Sequence, residues 1–287
     1  MIARFKFASW NFTGFSVQAD IAFIGGGNMA AALIGGLLAG GCAPARIRVA
    51  EPGAERAVWL RKEFGVHVAG AGNQVGHGAA AIVLAVKPQQ MRAALADLKP
   101  DEGTTIVSIA AGVRLATLKE ALGARVHYVR SMPNTPALVR KGITGLYAPA
   151  DTPEAARKLA ERILQTAGAT VWLASEAQMD AVTALSGSGP AYFFLLTEVL
   201  REAGEKLGLA PAVAAQLAQQ TFVGSAAITA PDPDVRTLRA QVTSKGGTTE
   251  AAVAALEAAG IRNMFDQALA AAARRGAELG DQLERDG

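Results

Sequence analysis

The stretch that most limits what this chain can become is IAFIGGGNMAAALIGGLLAGG, beginning at Ile21. Ile21 to Ile24 reads as a short buried strand, and Gly25-Gly26-Gly27-Asn28-Met29-Ala30 as a turn. The alanine- and leucine-rich run that follows reads as a helix. The turn has G-x-G-x-x-A spacing, which is weak evidence alone but informative between a strand and a helix. Gly25 permits the tight turn, Gly27 lets backbone approach a pyrophosphate, and Ala30 allows close packing of helix on strand. A second strand, Arg46 to Ala50, follows at the distance this motif requires. It ends in Glu51, where an acid bonds a ribose 2′-hydroxyl. Glu51 alone favours NADH over NADPH, with a plain solvated strand end as its alternative. Arg56, about a turn further on, is placed to meet a 2′-phosphate, so the choice between NADPH and NADH stays open.

The alternation of strand and helix continues. A helix over Glu55–Phe64 precedes a strand at Val66–Val68. Ala80 to Val86 is a continuous apolar run, as expected of a strand buried on both faces. It leads into Lys87-Pro88-Gln89 at the carboxyl edge of the sheet, where ligands bind in such folds. Thr104 to Ile109 repeats the pattern and ends in Ala110-Ala111-Gly112, small enough for a ligand to lie against backbone. His127 to Arg130 leads to Met132-Pro133-Asn134-Thr135-Pro136. The prolines stiffen that loop, and Asn134 offers a donor and an acceptor to a nicotinamide or a substrate. Ile143–Tyr147, a helix over Pro153–Thr166 and Val171–Leu173 complete an α/β domain over 20–174. Its candidate cofactor contacts are Gly25, Gly27, Asn28, Met29, Glu51, Arg56, Ala85, Val86, Lys87, Pro88, Ala110, Ala111, Gly112 and Asn134. Lys87 reads equally as a proton donor, a cofactor contact or a lysine solvating a strand end.

Strand signals stop after Ser175, and 175–287 reads as an all-helical domain. A helix over Glu176–Leu185 is expected to break at Ser186-Gly187-Ser188-Gly189-Pro190, with Pro190 opening the next helix. That serine–glycine run is not a G-x-S-x-G nucleophile elbow, and no His/Asp partners accompany it, which argues against a serine hydrolase. A helix from Pro211 to about Ala227, a loop at Pro231–Asp234 and a segment over Val235–Gln241 follow. The chain ends in a helix from Arg262 to about Leu283. Tyr192–Leu196, Met264, Phe265 and Leu269 carry more apolar surface than a small helical unit covers, so a partner subunit is expected to cover it.

Within this half, QVTSKGGTTEAAVAAL, starting at Gln241, is a glycine turn feeding a helix. Ser244, Thr248 and Thr249 are good cap residues, and Glu250 suits the first turn. Gly246 and Gly247 leave their N–H groups uncovered by side chains, so amides and helix dipole form an anion pocket beside two threonine hydroxyls. The plainer alternative is an ordinary capped helix.

With 287 residues the chain is long enough for two domains, and its net charge of +3 is spread among interspersed acids and bases. No basic block with interleaved aromatics appears, so nucleic acid is not an expected partner. Cys42 is the only cysteine, which excludes an intrachain disulfide and fits a reducing, cytoplasmic compartment. The three histidines lack metal spacing, and no metal is expected. The most apolar run, Ala181 to Thr197, is interrupted by Gly187, Gly189 and Pro190 and does not read as a membrane span. Residues 1–19 carry Arg4 and Lys6 without an acid, but no compact apolar core or cleavage site follows. They read as a poorly ordered extension.

Taken in order, IAFIGGGNMA, LAVKPQ, SIAAGV, MPNTPALV, AVTALSGSGPAYFF, GEKLGL and QVTSKGGTTEAAVAALE resemble the pyrroline-5-carboxylate reductase family. The resemblance extends from Ile21 to Leu283. Lys245 departs from it, standing where many members have proline, and the N-terminal extension has no expected counterpart. The resemblance implies reduction of L-1-pyrroline-5-carboxylate to L-proline by hydride from NADPH or NADH, the last step of proline biosynthesis. It implies that the Thr249 hydroxyl faces the ring nitrogen, with the amides of Gly246, Gly247 and Thr248 on the carboxylate and Val242 and Ser244 lining the pocket. Thr249 is thus the candidate catalytic residue. Asp232 stands roughly where an acid near the pocket is expected, though a loop acid between prolines is more often solvated. The resemblance also implies a homodimer through C-terminal helices, often assembled to a decamer. Two rivals remain. A hydroxy-acid reductase of similar architecture usually needs a lysine where this chain reads ALSGSGPAY, and a non-catalytic NAD(P)H sensor would show a damaged SKGGTT stretch.

Overall fold

A computed structural model describes residues 17–229 and 234–285. Most of the N-terminal extension and Asp232 lie outside the described residues. Val17, counted in that extension, is buried against the sheet. The chain divides into two compact units, Met1–Gly187 with Ala272–Gly287, and Ser188–Ala271.

The first unit is built on an eight-stranded sheet: β1 (Ile21–Ile24), β2 (Ile47–Ala50), β3 (His67–Ala69), β4 (Ala81–Leu84), β5 (Thr105–Ser108), β6 (His127–Met132), β7 (Gly142–Tyr147) and β8 (Gly168–Trp172). Their order is 3-2-1-4-5-6-7-8, and every pairing is parallel except β6 with β7. β1, β4 and β5 are buried along their whole length, as apolar strands covered on both faces must be. Alternate side chains feed two cores. Ile21, Phe23, Val83, Val107 and Val129 point to one face, and Ala22, Ile24, Ile82, Leu84 and Ile106 to the other.

The covering helices are α1 (Asn28–Ala39), α2 (Ala54–Phe64), α3 (Met91–Ala96), α4 (Leu115–Leu122) and α5 (Glu154–Gln165). In α1, Ala30, Leu33, Ile34 and Leu37 repeat at helical spacing and are all buried. Its Gly36 admits the end of α5, where a Cβ would stand 2.5 Å from the Thr166 carbonyl oxygen. The helix expected over Glu176–Leu185 is present in part, as α6 (Gln178–Val182). A π-helical stretch, Thr183–Gly187, follows it; the helix then breaks at Ser188, and Pro190 stands in the first turn of α7 (Gly189–Lys206), as the sequence led one to expect.

In the second unit α7 packs on α8 (Pro211–Ile228). The rings of Phe193 and Phe222 stack at 5.8 Å, and Gly204 lets Ala214 approach. Then come α9 (Val235–Gln241), α10 (Thr248–Ala258) and α11 (Ile261–Arg285), whose residues up to Ala271 belong to this unit. Phe193, Phe194, Leu195, Leu196, Met264 and Phe265 are each between 44% and 61% exposed. Large apolar side chains exposed to this extent suit burial against a partner. Among the described residues no helix is long and apolar enough to cross a membrane, and no group of three or more His, Cys, Asp or Glu could hold a metal.

Candidate active site

The sheet order reverses direction between β1 and β4, and the crevice at such a point, beyond the strand ends, is where this architecture takes ligands. The glycine turn occupies that point. Gly25 has φ +97°, its N–H donates to Ala50 O at 2.9 Å, and an added Cβ would lie 2.7 Å from Ala85 O. No other residue fits there. Gly27, the N-cap of α1, is the opposite case. Its φ of −63° suits any residue, and an added Cβ would meet nothing within 4 Å. Open space in front of an exposed glycine at a helix N-terminus is what a pyrophosphate needs for close approach. The fit to a dinucleotide therefore rests on this chain's own geometry.

Gly26 ties the turn to the end of β2. Its N–H donates to Glu51 Oε2 at 2.9 Å, and its carbonyl accepts from Arg56 Nε at 2.6 Å. The other carboxylate oxygen, Oε1, accepts from Gly53 N at 2.8 Å, and the Glu51 N–H donates to Ala69 O on β3 at 2.9 Å. The Arg56 guanidinium lies over the Trp59 ring, 4.1 Å from its centroid. Burial lowers the affinity of Arg56 for its proton, and the nearby Glu51 charge works the other way. Sequence reasoning missed Gly26 and Trp59. For Trp59 the signal was present, three residues after Arg56 on one helix face.

Ala85 and Val86 are half-buried beside Gly25, while Lys87 is exposed and precedes a short turn begun by Pro88. Asn28 is exposed and Met29 partly buried against the core. Ala110 is buried and Ala111 half-buried. Gly112 was expected to leave room for a ligand. Its space is instead faced by α11, with Gly280 N 3.4 Å from where a Cβ would stand. Arg114 fixes this contact, donating to Asp281 at 2.6 Å and to Glu284 at 2.7 Å. Asn134 likewise turns inward. Its Oδ1 accepts from Ile143 N at 3.0 Å and its Nδ2 donates to Ser186 O at 3.1 Å, so it pins two segments of the protein. A stiff polar loop gives no local sign of which partner it has chosen.

The second glycine turn lies in the other unit. Gly246 has φ +72°, and Gly247 caps α10 with no side-chain cap hydrogen bond, so Ser244, Thr248 and Thr249 do not cap as expected. Gly247 N donates to Ser244 O at 3.0 Å. Gly246 N donates to Glu250 Oε2 at 2.6 Å. The turn thus does attract a carboxylate, and in the free chain it is the chain's own. The acid at the third helical position reaches back past the N-cap, Gly247, to the residue before it, one position beyond the bond of a capping box. Thr249 is half-buried, and Val242, Ser244 and Thr248 are exposed around it.

A doubly wound sheet with a glycine turn at its switch point and an acid closing the second strand defines a dinucleotide-binding α/β protein. The description "NADP oxidoreductase coenzyme F420-dependent" matches residues 20–112, and "Pyrroline-5-carboxylate reductase dimerisation" matches residues 176–279. The pyrroline-5-carboxylate reductase of Pseudomonas aeruginosa is 49% identical over 268 residues, covering 92% of this chain and 97% of that one. Among solved structures, a pyrroline-5-carboxylate reductase from Coxiella burnetii superposes with a TM-score of 0.86 at 40% identity, covering 92% of this chain and 99% of that one. A Plasmodium falciparum pyrroline carboxylate reductase with NADP bound gives 0.78 at 28% identity, covering 92% and 99%. The chain belongs to the pyrroline-5-carboxylate reductase family.

Proposed function

We propose that this protein reduces L-1-pyrroline-5-carboxylate to L-proline, drawing on NAD(P)H, as the last step of proline biosynthesis. The observation that carries this reading is that 49% identity runs through 268 residues, both the nucleotide turn and the glycine–threonine turn included. When bound, a reduced nicotinamide would supply a hydride to the imine carbon. The chain's residues bind and orient. Gly25 shapes the turn, Gly27 and the first amides of α1 would receive the pyrophosphate, and Glu51 would lie at the adenosine ribose, with Arg56 bracing the turn. Ala85 to Pro88 and Ala110 to Ala111 border the same edge.

The substrate brings a carboxylate and a ring nitrogen. The amide of Thr248 and, once Glu250 releases it, that of Gly246 suit the carboxylate. Gly247 N contributes only if its bond to Ser244 O opens. Val242 and Ser244 line the same turn. The Thr249 hydroxyl is assigned to the ring nitrogen, accepting its proton in a hydrogen bond while the imine is protonated. A protonated imine is already a good acceptor, so positioning supplies most of the catalysis. The apolar faces of α7 and α11 fit a homodimer, with a decamer as a higher assembly, and a cytoplasmic location suits a chain with a single cysteine.

The test compares wild type, Thr249→Ala and Thr249→Ser. Loss of the hydroxyl should lower kcat by about two to three powers of ten, with serine restoring most of it and cofactor affinity unchanged. An alanine variant with wild-type kcat would remove Thr249 from the reaction.

A further inference from the structure

We infer that Glu51 makes this chain select NADH, whose adenosine ribose carries a free 2′-hydroxyl, over NADPH. The inference rests on the reductase reading and concerns which coenzyme that same crevice admits. Three observations carry it. First, the Glu51 carboxylate cannot swing away from the ribose position. One oxygen is held by Gly26 N–H at 2.9 Å, the other by Gly53 N–H at 2.8 Å, and the residue's own N–H is bonded to β3. Each oxygen keeps a lone pair for a ribose hydroxyl, which is the bond an acid at this position makes.

Second, the nearest cation on this helix is not offered to a phosphate. Arg56 is fastened through Nε to the Gly26 carbonyl and lies over the Trp59 ring, and its Nη2 is shut off from solvent with no hydrogen-bond partner among the described residues. A nitrogen that a water-sized sphere does not reach is not reached by a phosphate oxygen without rearrangement. Arg56 is a positioning residue that braces the glycine turn.

Third, the next arginine on α2 is engaged elsewhere. Arg61 Nη2 donates to Val68 O at 2.8 Å, and Gly53, between Glu51 and α2, presents no side chain. A doubly charged 2′-phosphate would therefore enter beside a fixed carboxylate with Arg56 turned away from it, and like charges repel. The NADP-bound Plasmodium falciparum relative, 28% identical, does not carry its coenzyme over to this corner.

The test titrates NADH and NADPH by their own fluorescence against wild type, Glu51→Gln and Arg56→Ala, with thermal melting to check folding, and then measures turnover. Wild type should bind NADH at least about tenfold more tightly than NADPH. Glu51→Gln, which keeps an acceptor and removes the charge, should bring the two within about threefold by tightening NADPH. Arg56→Ala should weaken both alike. Equal or tighter binding of NADPH to wild type overturns the inference, and so does selective loss of NADPH binding in Arg56→Ala. The wild-type ratio decides even if a variant fails to fold. Coenzyme binding without turnover of pyrroline-5-carboxylate would sink the reductase reading and leave the selection standing.

Discussion

Gly25 and Gly27 stand two residues apart and are glycines for different reasons. At Gly25 a side chain collides with Ala85 and the backbone sits at positive φ. Gly25→Ala should cost about 2 to 3 kcal/mol of stability, read by urea unfolding. At Gly27 a methyl meets only open space, so Gly27→Ala should change stability by no more than about 1 kcal/mol. It should nonetheless weaken coenzyme binding at least about tenfold, because the methyl fills the path of the pyrophosphate. Equal unfolding costs at the two positions would contradict the assignment of Gly27 to ligand approach. The sequence pattern named both residues, and it also named Glu51. It could not distinguish a side chain facing a ligand from one facing the protein. Asn134 and Gly112 were both read outward, yet Asn134 bridges Ile143 and Ser186, and Gly112 lies under α11. Those partners are remote in the chain and leave no periodic trace.

At the scale of elements, β6 is held from both ends of its interior. Arg130 has only 4% of its side chain exposed, and it meets Glu176 at 3.0 Å and Asp180 at 3.9 Å, just before and within α6. The same Glu176 oxygen accepts from Leu115 N at 2.8 Å, at the start of α4. Glu176→Ala would leave a buried guanidinium short of its main partner. It should lower stability by about 3 kcal/mol, against under about 1 kcal/mol for an exposed pair such as Lys158 with Glu154. Tyr128, also on β6, donates its hydroxyl to Gly123 O at 2.5 Å, and burial pushes its pKa up to about 12. The folded pKa lies above the ordinary value of 10.0, so this stability is full below pH 10.0 and is lost as pH rises toward about 12. Tyr128→Phe should flatten alkaline unfolding in that window. An unchanged profile would show that Tyr128 does not control it. The apolar runs of β1, β4 and β5 were legible because parallel strands buried on both faces need no alternation. The π-helical turn at Thr183–Gly187 was not, because glycine and serine next to proline signal the break at Ser188 and not the widened turn before it.

At the scale of the whole molecule, the helical unit exposes a face that a single chain does not cover. Phe194 and Leu195 are 61% and 60% exposed, far more than residues of their kind in a self-contained core. Phe194→Glu should convert a dimer into monomers in sedimentation experiments while leaving the first unit's coenzyme binding intact. A wild-type chain that sediments as a monomer at micromolar concentration would refute the assignment of that face. The domain order, strand first and helix after, was visible in the switch from β-branched runs to alanine-rich ones. That the last turns of α11 belong with the sheet was invisible, since Arg114 and its acids Asp281 and Glu284 are far apart in sequence. The most direct measurement of the proposed reaction follows wild-type protein with racemic pyrroline-5-carboxylate and NADH or NADPH, quantifying coenzyme oxidised and proline formed by chiral chromatography. L-proline is expected in one-to-one proportion with oxidised coenzyme. Coenzyme bound but not consumed, or consumed without proline, would contradict the proposed reaction.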